Sequence, residues 1–351
     1  MKVTLSQNLK AKPTDESKLG FGKIFTDHML VKKYTNGAWQ ESEIVPYGPF
    51  ALDPSCVCLH YGQEVFEGLK AYRTADDEIM LFRPEQNFAR LNKSNDRMGI
   101  PPIDETEALA ELKELLAIEK DWIPHTKGTS LYIRPFIIAT EVGLGVHSST
   151  DYIYAVILAS SGSYYANGLA PVKILIEDHF VRAVKGGTGT AKTGGNYASS
   201  IVAQEVANEQ GYEQVLWLDG VERKYIEEVG AMNVMFVLKD KVVTPMLSGS
   251  ILDGITRKSV LEVVKSFGIE VSEERISVED LVKAYENGEL LEAFGTGTAA
   301  VISPIGELKY KDVVMKLNNG EIGELSQRIY DTLTGIQYGE LEDTFGYTQK
   351  L

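Results

Sequence analysis

Cysteine is nearly absent from this sequence, which contains only Cys56 and Cys58 among its 351 residues. An i, i+2 spacing places both side chains on one face of a strand, which is a poor geometry for a bond between them. We therefore predict no disulfide framework, as is typical of proteins that work in a reducing compartment.

Long apolar runs are also missing. The longest, YIYAVILA at 152–159, is far shorter than the about 20 residues that a transmembrane helix needs. The first residues, MKVTLSQNLKAKPTDESK, contain no apolar core of a secretory signal. From these absences we expect a soluble cytoplasmic protein with no membrane partner.

Basic charge is scarce relative to acidic charge. The 35 Lys and Arg residues against 50 Asp and Glu residues give a formal net charge of −15. No basic stripe of the kind that binds phosphate backbones is visible, so nucleic acid is excluded as a partner. The sequence also has no long-period repeat, low-complexity tract or coiled-coil heptad. What remains is the composition of an acidic globular protein.

The length of the chain exceeds what one ordinary core accommodates, so we predict two domains. The segment SSGSYYANGLAP at 160–171 is small, contains glycine and ends in proline, which is typical of a connection between domains. We therefore predict a smaller N-terminal α/β domain over 1–160, a linker over 161–171 and a larger C-terminal domain over 172–351.

Both halves mix strands and helices. Pro84 and Gly99 bracket a predicted helix, and DETEALAELKELLAIEKDW from Asp104 predicts a second. In the C-terminal half, helices are predicted near Asn196, after SGSILDG at 248–254 and after the capping-box pattern SVED at 277–280. Strand-like runs rich in β-branched and aromatic residues occur at 61–73, 78–83, 130–138, 151–159, 172–177, 214–219, 233–238 and 241–244.

A lysine inside a loop of small residues is the main chemical signal. The loop, GGTGTAKTGGNY, covers 186–197, and its pentapeptide GTGTA recurs at 295–299 without a lysine. A nucleotide-binding P-loop requires G-x-x-x-x-G-K-[ST], but Ala191 precedes Lys192, and two glycines follow where the helix should begin. Asp219, at the end of VLWLD, imitates a magnesium-binding aspartate, so nucleotide binding stays open as an alternative.

The other interpretation is a lysine that binds a flat aromatic cofactor covalently. Such a lysine must lose its proton easily to act as a nucleophile, and small neighbours allow the cofactor to approach the backbone. Ile255 and Thr256 begin a predicted helix and offer amides to an anion, as does the second GTGTA. Arg90 could grip a phosphate. Glu227 and Glu228 alternate along an apolar strand, so we expect one to point inward, towards a cation such as a protonated pyridine nitrogen.

The motifs KTGGNY at 192–197, EEVGAMN at 227–233 and FGTGTA at 294–299 resemble those of the branched-chain amino acid aminotransferases. The resemblance extends in order from FGKIFTDHM at 21–29 to IQYGELED at 336–343, and so covers nearly the whole chain. It implies an α+β, two-domain fold of the fold type IV, D-amino acid aminotransferase-like class, with pyridoxal 5′-phosphate in the C-terminal domain.

The resemblance also implies roles for individual residues. Lys192 would be the Schiff-base lysine and the general acid/base, and Glu228 would pair with the ring nitrogen of the cofactor. Tyr197 would bond the 3′-oxygen of the ring. The phosphate would be held by Arg90, Ile255, Thr256 and Thr298.

For the substrate, the resemblance implies a pocket of aromatic residues and a contribution from a second subunit, because the family is dimeric. Leu144 and Val146 would reach the pocket of the partner subunit. Thr298 and Ala299 would lie near the substrate carboxylate, and Arg134, on the strand face of Tyr132, is our candidate for the second carboxylate of glutamate. The pocket aromatics would be Phe21, Tyr61, Phe66, Tyr132 and Tyr164.

The implied activity is the reversible transfer of the amino group of L-leucine, L-isoleucine or L-valine to 2-oxoglutarate. Animal members carry a C-x-x-C pair where this chain has Ala300 and Ser303, so we expect a bacterial enzyme without a thiol switch. No metal site is predicted. D-amino acid aminotransferases and aminodeoxychorismate lyase have the same kind of cofactor lysine and phosphate site, so they remain alternatives. A non-catalytic binding module on the same scaffold is a further alternative.

Overall fold

The structure, a computed structural model, describes residues 1–162 and 169–351. Within these residues the α-helices are α1 Val57–Tyr61, α2 Pro84–Met98, α3 Glu105–Ile118, α4 Gly194–Ala198, α5 Ile201–Glu209, α6 Ile255–Ser266, α7 Val278–Glu286 and α8 Glu324–Gln337. Short 3-10 helices cover Glu16–Lys18, Lys120–Trp122 and Asn318–Gly320.

The strands of the first half are β1 Lys2–Val3, β2 Ile24–Phe25, β3 His28–Thr35, β4 Ala38–Trp39, β5 Glu43–Pro46, β6 Glu64–Phe66, β7 Leu69–Arg73, β8 Ile79–Phe82, β9 Ser130–Ala139 and β10 Tyr152–Ser161. Those of the second half are β11 Val172–Glu177, β12 Gln214–Leu218, β13 Ile226–Val229, β14 Met232–Leu238, β15 Lys241–Pro245, β16 Glu270–Glu274, β17 Leu290–Gly297, β18 Val301–Tyr310, β19 Val313–Lys316 and β20 Thr348–Lys350.

The chain divides into two compact units. Unit 1 comprises Met1–Ala166, Ala191–Gly194 and Gly335–Leu351, and unit 2 comprises Asn167–Thr190 and Gly195–Thr334. Two short segments of the predicted C-terminal domain thus belong to unit 1. One contains β20, which pairs antiparallel with β8, and the other contains the lysine of the glycine-rich loop. The exact domain boundaries stay a prediction.

Unit 1 is built on a sheet with the strand order β1-β5-β3-β10-β9-β7-β8-β20, to which β2, β4 and β6 add at the sides. β9 and β10 pair over their full length, from Tyr152↔Ala139 to Ser161↔Ser130. Leu131, Ile133 and Ile137 alternate along β9 into a continuous apolar core, since successive residues of a strand point to opposite faces. Helices α2 and α3 contribute the apolar residues on the other side of that core.

Helix α2 begins and ends where the sequence predicts. Pro84 occupies the first turn, and Gly99 ends the helix with a φ of 65°, its N–H donating to the carbonyls of Asn95 and Asp96. Phe88 and Leu91 are buried in the core. The same helix also buries the polar residues Asn87, Arg90, Ser94 and Asn95. Burial of four polar side chains on one helix indicates that this helix does more than close the core.

Unit 2 contains a second sheet with the strand order β13-β12-β11-β18-β17-β14-β15-β16, with β19 paired to β18 and an additional β13–β14 pairing. β11 runs parallel to both β12 and β18, whereas β14, β17 and β18 are antiparallel neighbours. Trp217 of β12 and Ala203 and Ala207 of α5 are buried in one apolar cluster. Because β13 and β14 lie side by side, the EEVGAMN motif forms a tight turn in this sheet.

Two local predictions were wrong. Tyr61 ends the short helix α1 and does not lie in a strand, because Gly62 follows in the left-handed conformation and its N–H donates to the carbonyl of Cys58. Cys56 and Cys58 lie at the start of the same helix and not on a strand. Their sulfurs are 3.9 Å apart and both thiols are free.

No helix within residues 1–162 and 169–351 is long and apolar enough to cross a lipid bilayer. The same described residues contain no group of three or more His, Cys, Asp or Glu side chains arranged to hold a metal ion.

Candidate active site

Lys192 is held by its backbone inside unit 1. Its N–H donates to Ser94 Oγ of α2 at 2.9 Å, and its carbonyl accepts from the N–H of Phe66 in β6 at 3.0 Å. The Nζ atom lies 4.8 Å from the centre of the Phe66 ring, and the side chain is half-buried. The amine therefore projects from a backbone that is fixed on both sides.

Arg90 forms an ion pair with the buried carboxylate of Glu67. Arg90 Nε and Nη2 donate to Glu67 Oε1 and Oε2 at 2.7 and 3.0 Å, and Asn87 Nδ2 donates to Oε2 at 2.7 Å. Burial alone would raise the pKa of the Glu67 carboxyl, but Arg90, the charge of Lys192 and the Asn87 amide together hold it below its usual range. Arg90, the predicted phosphate ligand, is thus oriented by Glu67, which was not predicted from the sequence.

Four predicted pocket residues lie in contact on unit 1. The rings of Phe21 and Tyr132 meet edge to face with centroids 4.8 Å apart. The Arg134 guanidinium lies 4.7 Å from the centre of the Phe66 ring, and its Nη2 donates to the Tyr132 hydroxyl at 3.1 Å. Arg134 Nε is buried and has no hydrogen-bond partner among the residues that the structure describes. An aromatic surface therefore continues from Lys192 to a guanidinium with an unused donor.

Three other predicted residues are exposed. The Tyr61 hydroxyl donates to the carbonyl of Leu144, and the side chains of Leu144 and Val146 are 64% and 81% exposed. Leu144 and Val146 belong to the segment that is predicted to reach the pocket of the partner subunit. Tyr164 lies outside the described residues.

Glu228 is the centre of the polar cluster in unit 2. Its Oε2 is 2.6 Å from Arg182 Nε, and its Oε1 accepts from the N–H of Leu252 at 2.9 Å and from Asn233 Nδ2 at 3.3 Å. The carboxylate is buried, and Arg182 supplies its charge partner within the protein. The expectation that this glutamate points inward is met by these contacts.

Glu227 is buried as well, in addition to the one inward glutamate that the sequence predicts. The hydroxyls of Ser248 and Ser250 donate to its Oε1. Burial raises the pKa of the Glu227 carboxyl, against the opposing effects of the Ser250 hydroxyl and the charge of Arg182. Both glutamates are buried because both faces of β13 are covered, so neither side of the strand faces water.

A row of polar side chains extends from Glu228 across three neighbouring strands. Glu228 pairs in register with Asn233, and Asn233 pairs with Thr296. Directly opposed residues of antiparallel strands point to the same face. Thr296 Oγ1 is buried and, in the part of the chain that the structure describes, has no hydrogen-bond partner. An unsatisfied hydroxyl next to a buried ion pair fits a ligand with polar ring substituents.

Helix α6 begins after a glycine, which has no side chain to cap the first backbone amides of the helix. This glycine is Gly254, and Asp253 before it forms an ion pair with Lys258 at 2.7 Å. Ile255 and Thr256 occupy the first two positions of this twelve-residue helix, and the N-terminus of such a helix attracts anions.

The remaining predicted residues also lie in unit 2. Thr298 and Ala299 form the turn between β17 and β18, where Gly297 pairs with Val301. Tyr197 is half-buried in the short helix α4. The structure thus assigns the predicted residues to two sets, with Lys192 and Arg90 in unit 1 and Tyr197, Glu228 and the amides of α6 in unit 2.

Five residues that orient the predicted ones were not predicted from the sequence, namely Glu64, Glu67, Asn87, Ser94 and Arg182. Ser94 and Asn87 could have been found, because both share a helix face with Arg90 that is otherwise apolar. Arg182 carries no local signal, since its partner Glu228 lies far along the chain.

Comparisons with known proteins agree with this geometry. The family model of amino-transferase class IV matches residues 64–308. The chain is 56% identical over 352 residues to branched-chain-amino-acid aminotransferase 2 of Bacillus subtilis (strain 168), which covers 100% of this chain and 97% of the relative.

Solved structures are similar as well. The branched-chain amino acid aminotransferase of Escherichia coli matches with a TM-score of 0.73 and 28% identity, over 92% of this chain and 98% of that chain. The T.th. branched-chain amino acid aminotransferase complexed with N-(5′-phosphopyridoxyl)-L-glutamate matches with a TM-score of 0.72 and 26% identity, over 91% of this chain and 97% of that chain.

These matches confirm the predicted family, its occurrence in bacteria and the α+β fold of type IV. The class IV match covers well over half of the chain, and the bacterial relative is similar along its whole length. The chain therefore belongs to the branched-chain amino acid aminotransferases of aminotransferase class IV.

Proposed function

We propose that this protein catalyses reversible transamination between L-leucine, L-isoleucine or L-valine and 2-oxoglutarate, giving branched 2-oxo acids and L-glutamate. The observation that carries the proposal is the amine of Lys192, which projects from a backbone held between Ser94 and Phe66. A catalytic amine must be fixed relative to its substrate, since misplacement by about 1 Å can cost about 100-fold in rate.

The family uses pyridoxal 5′-phosphate, and the residues present fit that group. The unsatisfied hydroxyl of Thr296, the buried carboxylate of Glu228 and the first backbone amides of α6 offer the hydroxyl, anionic and amide groups that a phosphorylated pyridine needs. When bound, the cofactor supplies an electron sink for the negative charge that develops at the substrate α-carbon. We propose that it is held by Arg90, Lys192, Tyr197, Glu228, Ile255, Thr256 and Thr298.

Lys192 has two tasks in this proposal. Its Nζ would hold the cofactor covalently, and the amine, once free, would take the proton from the substrate α-carbon. The aromatic ring of Phe66 beside Nζ favours this exchange by keeping water from one side of the amine. Glu228, oriented by Arg182 and Asn233, would keep the pyridine nitrogen protonated.

The substrate pocket must accept an aliphatic side chain in one half-reaction and a carboxylate in the other. We propose that Phe21, Tyr61, Phe66, Tyr132 and Tyr164 form the apolar part, while Thr298 and Ala299 lie near the α-carboxylate. One methylene changes discrimination by only about 1–3 kcal/mol, so all three branched amino acids should react. Arg134 is the proposed ligand of the glutamate side-chain carboxylate, because its Nε is buried without a partner in the described part of the chain.

We further propose a cytoplasmic homodimer in which Leu144 and Val146 of one subunit contribute to the pocket of the other. The exposure of both apolar side chains supports this assembly, because exposed clusters of large apolar residues are typical of interaction surfaces. Sedimentation of the protein should give twice the mass of the chain.

The direct test of the function is Lys192→Ala, compared with Lys185→Ala, which removes an exposed lysine upstream of the same loop. We expect Lys192→Ala to lose the visible absorbance that pyridoxal phosphate acquires on the protein and at least about 10³-fold in leucine turnover. Lys185→Ala should behave as the wild type. A Lys192→Ala protein that still transaminates would refute the assignment, and colourless binding of Mg-ATP would favour the nucleotide alternative.

The substrate assignment is tested with Arg134→Ala and a panel of L- and D-amino acids. Loss of the guanidinium should raise KM for 2-oxoglutarate about 100-fold and leave leucine less affected, because a charged hydrogen bond contributes about 1.5–3 kcal/mol. Equal losses for both substrates would contradict the role of Arg134. Preference for D-amino acids would identify the D-specific relatives as the better description.

A further inference from the structure

Glu64 holds the two residues that follow Lys192. Its Oε1 accepts from the N–H of Gly194 and lies 3.3 Å from Thr193 Oγ1, which also donates to the main-chain carbonyl of Glu64 at 2.7 Å. Thr193 is buried, so its hydroxyl has few alternative partners. The first residue of β6 and the lysine loop are thus joined through both side chain and backbone.

Phe66, two residues further along β6, continues this connection. Its N–H donates to the carbonyl of Lys192, so three successive residues of the loop are attached to one short strand. The opposite side of the loop is held by the Ser94 hydroxyl at Lys192 N–H. Removal of the Glu64 carboxylate would therefore leave the segment after Lys192 attached to β6 through the backbone carbonyl of Glu64.

The fit around Gly194 is close. A Cβ atom at this position would lie 2.6 Å from Glu64 Oε1, which is closer than real side chains approach. The glycine therefore allows the carboxylate to reach the backbone N–H. Such an approach is one of the few reasons for which a glycine is required in a loop.

The surroundings of Glu64 make its charge sensitive to pH. Burial raises the pKa of its carboxyl, while the Gly194 N–H, the Thr193 hydroxyl and the charge of Arg134 on β9 act in the opposite direction. Cys58 on α1 also faces this carboxylate. Burial, together with the nearby Cys56 and Glu64, raises the pKa of Cys58 to about 12, so the thiol stays neutral.

We propose that Glu64 is a positioning residue for Lys192, and that its ionised form is required to hold the lysine loop in the reactive arrangement. The inference rests on the proposed role of Lys192. When Glu64 takes up a proton, Oε1 becomes a weaker acceptor for Gly194 and Thr193, and the loop loosens. Turnover should therefore fall on the acid side as Glu64 is protonated, without a matching loss of substrate binding.

The experiment compares Glu64→Ala and Glu64→Gln with Glu114→Gln, which alters an exposed glutamate on α3. Glu64→Ala removes the acceptor, and we expect kcat for leucine to fall about 10- to 100-fold with KM unchanged. Glu64→Gln retains only a neutral oxygen acceptor, as the protonated acid does, so its kcat at neutral pH should stay near the level that the wild type reaches on the acid side. Its kcat should no longer show the acid-side fall caused by Glu64, whereas Glu114→Gln should keep the wild-type profile.

A second readout is independent of turnover. Amide hydrogen exchange of the full-length holoenzyme should accelerate at Gly194 in Glu64→Ala by about the same factor as kcat falls, and by a smaller factor in Glu64→Gln, which keeps a weaker acceptor. If Glu64→Ala has wild-type kcat and wild-type exchange, the proposal is wrong. It is equally wrong if both Glu64 variants lose the same activity and retain the acid-side fall.

These outcomes differ from failure of the proposed function. A Lys192→Ala protein with normal transamination would remove the role of Lys192 itself. Inactive Lys192→Ala together with unaffected Glu64→Ala would leave the function in place and overturn only the role of Glu64.

Discussion

The pentapeptide GTGTA occurs twice in this chain and adopts two different structures. At 187–191 it lies in irregular turns ahead of Lys192, whereas at 295–299 its first three residues complete β17 and the last two form a turn. Identical residues therefore do not specify one local structure, and the partners of the backbone must decide it.

Those partners differ between the copies. In the first copy the Thr188 hydroxyl donates to Asn196 Oδ1, and Asn196 Nδ2 donates back to the Thr188 carbonyl, both at 2.8 Å. In the second copy Gly295 pairs with Val234 on one side and with Ser303 on the other. Side chains satisfy the backbone of the first copy, whereas neighbouring strands satisfy the backbone of the second.

Both copies nevertheless connect to the same ion pair. Arg182 Nη2 donates to the carbonyl of Gly189 at 3.4 Å and its Nε binds Glu228. On the other side, Asn233 Nδ2 donates to Glu228, and Asn233 pairs in strand register with Thr296 of the second copy. The Arg182–Glu228 ion pair therefore lies between a hydrogen bond to the first copy and a row of side chains in register that ends in the second copy.

The sharpest way to break the comparison is to move the lysine. The position after the second pentapeptide is Ala300, and we expect the double variant Lys192→Ala/Ala300→Lys to stay at least about 10³-fold below the wild type. Ala300 lies in the β17–β18 turn, whereas the contacts of Ser94 and Phe66 are made to the backbone of residue 192. Mass analysis after borohydride reduction checks the result, and cofactor bound at position 300 with recovered turnover would contradict it.

The shared ion pair should give the next largest effect. Arg182→Met leaves the buried Glu228 without its charge partner, so we expect the free energy of unfolding to fall by about 3–5 kcal/mol. Removing both charges in Arg182→Met/Glu228→Leu should restore most of that loss. Urea unfolding of the apoprotein measures both. A double variant as unstable as the single one would show that packing, and not charge, links the loops.

Matched glycines distinguish the copies more finely. A Cβ at Gly189 would collide with the backbone carbonyl of Ser250, which cannot move independently, so Gly189→Ala should destabilise by about 1–3 kcal/mol. At the equivalent Gly297 the nearest atom is Met232 Cγ at 3.2 Å, and the flexible methionine can move aside. Thermal unfolding should therefore show a clear difference, and equal losses would remove this distinction.

The smallest expected effect comes from the two matched threonines, Thr188 and Thr296. Thr188→Val loses a hydrogen bond to Asn196 and should cost about 1 kcal/mol in the apoprotein. Thr296→Val removes a hydroxyl that has no partner among the described residues, so the apoprotein should be equally or more stable. The difference in stability between the two variants should become smaller or change sign when cofactor is added. A destabilised Thr296→Val apoprotein would indicate that this hydroxyl already serves the protein alone.

Element boundaries with local causes were predictable. Asp104 accepts from the N–H of Glu107 at 2.8 Å and begins α3, and Ser277 accepts from the N–H of Asp280 at 3.0 Å and begins α7. Pro84 and Gly99 bracket α2 in the same way. Tyr61 was misassigned because the turn that ends α1 depends on Gly62 in the left-handed conformation, and the surrounding β-rich composition gave no warning of it.

The candidate site was predictable only as a set of residues. The ordered motifs identified the family and named Lys192, Arg90 and Glu228, but not the groups that orient them. Glu67, Ser94 and Arg182 lie far along the chain from the residues that they contact. Such pairings depend on which strands and helices become neighbours, and this is not written in any local pattern.

The amino-acid sequence by itself determined the family, the positions of α2, α3, α6 and α7, and the presence of a lysine among small residues, because these follow from motifs and local capping. Only the tertiary structure decided which copy of GTGTA stays irregular and which carboxylates are buried with a cationic partner. The physical reason is that hydrogen bonds and ion pairs gain their value from desolvation, and burial is a property of the folded sheets and not of any short segment.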